Sequence, residues 1–126
     1  MVLPKKIQNA IEALLGPAGK SDAALRRAVF EMTRRGARAM PKAQPGARDL
    51  RELVEKIDER PWTVSDEDFS RLRRAGYSED QIFELTVAAA AGAGVRRFEA
   101  GLRALEAAGE ETGSQPRDHA LSIFKN

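Results

Sequence analysis

Apolar residues recur along this chain at helical spacing, with no run alternating apolar and polar as a strand would. Ile7, Ile11, Leu14 and Leu15 share one side of a first helix over residues 4–15, which Gly16-Pro17-Ala18-Gly19 stops. That helix either closes its own domain's core or packs as an arm on a neighbouring subunit. Ser21 or Asp22 is placed to cap a second helix reaching about Arg35, with Leu25, Val29 and Met32 inward. Phe30 lies off that stripe and calls for a second contact. After a loop holding Pro41, Pro45 and Gly46, the third helix, 47–59, has the cleanest pattern. Leu50, Leu53, Val54 and Ile57 stand at i, i+3, i+4 and i+7, and Arg60-Pro61 ends it. Trp62 reads as a plug between helices. Ser65 or Thr63 caps a short fourth helix with Phe69 and Leu72 inward and Gly76 in the left-handed position at its end.

The least polar stretch follows, from Ala75 to Leu105. Ser78 and Gln81 form a capping box, with Tyr77 and Ile82 at the positions of a hydrophobic staple. The helix runs into Ala88-Ala89-Ala90-Ala91, apolar nearly all round, which marks a buried helix. Gly92 and Gly94 are expected to break it before a sixth helix with Val95, Phe98, Leu102 and Leu105 on its apolar face. The small residues let helix backbones approach closely. The larger packing groups are then Phe69, Ile82, Phe83, Leu85, Phe98 and Leu102, at about 1.5–3 kcal/mol each when fully buried. Replacing Gly94 by Leu is expected to disrupt packing at the bend. Beyond Glu106 the apolar pattern fades through Gly109, Gly113 and Pro116, and a short apolar end, residues 120–124, closes the chain.

The reading is an all-α, compact helical domain of about six helices. Composition agrees with it: 126 residues suffice for one domain, and 42% hydrophobic content supports a packed core. The absence of Cys removes disulfides, thiolate metal sites and cysteine nucleophiles from consideration. No apolar run approaches a membrane span and residues 1–6 lead into no signal-type core, so no membrane association and a cytoplasmic location are expected. Charge is uneven, net +5 over residues 1–60 and net −3 over 61–126. Residues 20–48 hold eight basic side chains against two acidic ones, with Arg27, Arg34, Arg35 and Arg38 on the polar side of the second helix. A nucleic-acid interface needs more than this. Interleaved aromatics and a helix-turn-helix pattern are missing, and a solvated Arg-rich face accounts for the bias.

A short helix, a Gly-Tyr-Ser-Glu-Asp-x-Ile turn at residues 76–82, and an Ala-rich helix meeting Gly before a second amphipathic segment resemble the alkylhydroperoxidase D / carboxymuconolactone decarboxylase superfamily. The resemblance spans about residues 48–105 and implies an alkylhydroperoxidase D-like helical core, 47–108. An N-terminal helical extension, 1–46, and a C-terminal tail, 109–126, flank it. It also implies a homo-oligomer: a dimer, trimer or hexamer. In the peroxidase branch a Cys-x-x-Cys pair and a His four residues later precede the turn glycine, with an acid about one helix earlier. Those positions fall here on Pro61, Val64, Asp68 and, for the acid, near Asp49. None of the Cys or His is retained, so thiol peroxidase and disulfide reductase chemistry are excluded for this chain. The decarboxylase branch keeps a His where Asp68 stands.

Other chemistry is thin. Asp66-Glu67-Asp68 invites a metal or acid/base reading, yet carboxylates at a helix N-terminus are favoured by the helix dipole alone, and no metal or cofactor is expected. Gly92-Ala93-Gly94 lacks the strand and spacing of a dinucleotide loop. His119, the sole histidine, has no nucleophile or metal partner in view. Two functions follow. One is a non-peroxidatic helical protein acting through binding or oligomeric assembly. The other is a cofactor-free enzyme on a small acid or lactone, with a repurposed pocket near Asp49, Trp62, Val64, Asp68 and Tyr77. The enzyme reading requires Asp68 to face inward.

Overall fold

The computed structural model describes residues 3–36 and 44–112, with side chains to residue 110. The described residues form five α-helices, α1 (Lys5–Leu15), α2 (Ala23–Arg35), α3 (Ala47–Glu59), α4 (Asp66–Arg74) and α5 (Glu79–Thr112), with a 3-10 turn at Pro61–Thr63. No strand occurs among the described residues. Two compact units are present, residues 2–96 and a unit beginning at Arg97, and α5 contributes to both. The first is called the body below.

Local grammar sets the helix ends as the residues demand. Asp22 accepts from the Ala24 backbone N–H at 3.2 Å and caps α2. Ser78 Oγ accepts from Gln81 N at 3.1 Å while Gln81 Oε1 accepts from Ser78 N at 2.8 Å, closing the expected capping box on α5. Gly76 has φ 111°, and around it Tyr77 N donates to Leu72 O and Gly76 N to Arg73 O. That paired pattern ends α4 and requires a residue free of the Cβ penalty.

In the body, α1 packs on α2, α2 on α3, and α3 on α4 and the 3-10 turn. Leu25, Val29, Phe30 and Met32 of α2, Leu50, Leu53 and Val54 of α3, Leu72 of α4, and Ile82, Leu85, Ala88, Ala89 and Val95 of α5 form one buried cluster, joined by Leu15. Phe30 finds the second contact its position called for. Ile11 and Leu14 pack on the cluster from α1, so this helix does close its own core.

Three expectations are corrected. Gly92 and Gly94 do not break the helix, because α5 is continuous from Glu79 to Thr112. Each glycine costs about 1 kcal/mol of helix propensity, a penalty that flanking alanines and tertiary packing absorb. Gly92 serves a different purpose: a Cβ there would lie 2.1 Å from Thr33 Oγ1 and 2.2 Å from Phe30 O, so its absence lets α2 and α5 cross. A Cβ on Gly94 meets nothing within 4 Å, so the packing conflict belongs to Gly92. Second, the alanine run is not buried all round. Ala88, Ala89 and Ala93 are buried, whereas Ala90 and Gly94 are exposed. Third, Trp62, Phe83 and Phe98 are not packing groups; they are 79%, 68% and 45% exposed. No described helix is long and apolar enough to cross a membrane. His119 and the apolar end lie outside the described residues, as does Arg38.

Candidate functional site

Asp68 sits at the third position of α4 and is buried, as the enzyme reading required. Its environment is closed by the chain itself. Lys56 of α3 donates to Oδ1 at 2.9 Å and to Oδ2 at 3.1 Å, and the Ser65 backbone N–H donates to Oδ2 at 2.9 Å. Arg71 approaches Oδ1 at 3.6 Å. Burial alone would raise the Asp68 pKa, but the Lys56 and Ser65 hydrogen bonds and the Lys56 charge outweigh it and hold the carboxyl below its ordinary value. The group therefore stays ionised and bridged, tying α3 to α4.

The other sequence candidates are scattered. Val64 follows the 3-10 turn and packs partly buried on the core. Trp62, two residues earlier, is exposed. Asp49 lies half-buried in the first turn of α3. The Tyr77 hydroxyl donates to Pro45 O at 2.8 Å, and burial raises its pKa, which keeps it a donor and not a base. No described hydrogen bond or ion pair joins Asp49 or Tyr77 to Asp68. The acidic triplet also separates: Glu67 pairs with Arg71 at 3.6 Å and Arg74 at 3.3 Å, while Asp68 turns to Lys56. No group of three metal-binding side chains gathers among the described residues.

The cavities of the body include two that the described residues line. One, about 220 Å³, is lined by Met32, Thr33, Val54, Asp58 and Arg96 among others. Glu55 and Glu59 line it too, and within it Arg96 grips Asp58 through two hydrogen bonds of 2.9 and 2.7 Å. That bidentate contact raises the Arg96 pKa and fastens α5 to α3. The other, about 230 Å³, lies between Ser21, Leu25, Pro45, Gly76, Tyr77 and Gln81. Of the sequence candidates only Tyr77 lines either one.

The strongest polar centre escaped the sequence reading. Arg26, on α2, is 1% exposed. Its guanidinium donates to Leu14 O (2.9 Å), Ser21 O (2.6 Å), Ala18 O (3.0 Å) and Gly16 O, and to Ser21 Oγ at 2.8 Å. Glu84 of α5 completes the centre, accepting from Lys20 N, Ser21 N and Ser21 Oγ at 2.6–3.0 Å. The Ser21 hydroxyl and the two backbone N–H groups, with a lesser contribution from the Arg26 charge, lower the Glu84 pKa to about 2 against the opposing effect of burial. A faint signal was present: Arg26 stands three, four and seven residues before Val29, Phe30 and Thr33, on the flank of a buried stripe. The chain matches no family model, no curated protein and no solved structure.

Proposed function

We propose that this chain is a helical binding or assembly protein, a non-peroxidatic relative of the alkylhydroperoxidase D / carboxymuconolactone decarboxylase superfamily that works as a homo-oligomer. One contrast carries the reading. Inside the body the buried charged groups, Arg26 and Asp68, are bonded within the chain, while Phe83 and Trp62 stand in solvent at 68% and 79% exposure. A general acid or base must reach substrate with a pKa near the working pH. Asp68 and Glu84 are both held below the ordinary carboxyl range by the partners that fix the fold. Exposed aromatic side chains of this size are typical of interaction surfaces.

Sedimentation equilibrium on the full chain tests the reading. The expected result is a mass above the single-chain 13.8 kDa that rises with concentration. A single-chain mass at every concentration, with turnover of a small acid or lactone that Asp68→Asn abolishes, contradicts it in favour of the enzyme.

A further inference from the structure

We draw no further inference here: the strongest candidate, the cavity of about 230 Å³ where α2, α3 and α5 begin, rests on helix N-termini alone, since its Ser21 and Tyr77 hydroxyls and its Gln81 amide are already bonded within the chain and nothing else in it points to a ligand.

Discussion

Arg26 Nη1 lies 3.3 Å from Glu84 Oε1, joining two positions 58 residues apart. Around this contact the last turn of α1 and the connection to α2 offer carbonyls from Leu14, Gly16, Ala18 and Ser21, and a single guanidinium satisfies them all. Five N–H donors in a planar fork make this possible; lysine has neither the number nor the geometry. Glu84 then fastens the end of the same turn to α5.

Arg26→Met keeps side-chain volume and removes the donors. The carbonyls and the Glu84 carboxylate lose a buried partner, so stability should fall by about 3–5 kcal/mol in urea unfolding. Arg26→Lys should recover only a minor part of that loss. A change within a few tenths of a kcal/mol would show that the centre is dispensable.

Acid should act through Glu84. Its folded pKa of about 2 lies below its ordinary 4.5, so its contribution to stability is complete above about pH 4.5 and is lost as pH falls towards about 2. Asp68, also lowered, adds to the same trend. Urea midpoints measured across this window should drop with pH, and Glu84→Gln should flatten the slope without removing it. An unchanged slope in Glu84→Gln would contradict the assignment.

Asp68 and Lys56 should behave as a structural pair. Asp68→Asn leaves the Lys56 ammonium, 16% exposed, with only the longer 3.7 Å contact to Glu52, and should cost about 1–3 kcal/mol. A double-mutant cycle with Lys56→Met should return a coupling energy of about 0.5–3 kcal/mol. Zero coupling would free Asp68 for another role.

Gly92→Ala should be among the most damaging conservative changes in α5. Its Cβ conflicts with Thr33 Oγ1 and with the Phe30 carbonyl, which is backbone and cannot swing aside. The expected loss is about 1–3 kcal/mol, or roughly 3–10 °C in Tm. A wild-type Tm would mean that α2 and α5 do not cross there.

Much of the fold was legible because its signals are local. The α3 stripe, the Gly76 turn and the Ser78–Gln81 box depend on residues within a few positions of one another, and each is found as read. Non-local relationships were not. Arg26 sits among arginines on a basic helix, and what singles it out as buried is the fold of the preceding chain, whose carbonyls from Leu14 to Ser21 turn onto it, together with Glu84 from a distant helix. Trp62 is apolar in composition, yet the 3-10 turn after Pro61 leaves it in solvent. The role of Gly92 likewise depends on which helix crosses it, and helical propensity alone mistakes the site for a break. Of the candidate site, an inward Asp68 was required by the enzyme reading alone, since a helix N-terminus already accounts for the charge; its burial and its capture by Lys56 required knowing that α3 lies alongside α4.

The central claim is the proposal that the chain works as an assembly of its own copies, and melting curves over a wide concentration range test it directly. Assembly stabilises the folded chain by mass action, so the wild-type Tm should rise with protein concentration. A Tm independent of concentration in the wild-type chain would contradict the account.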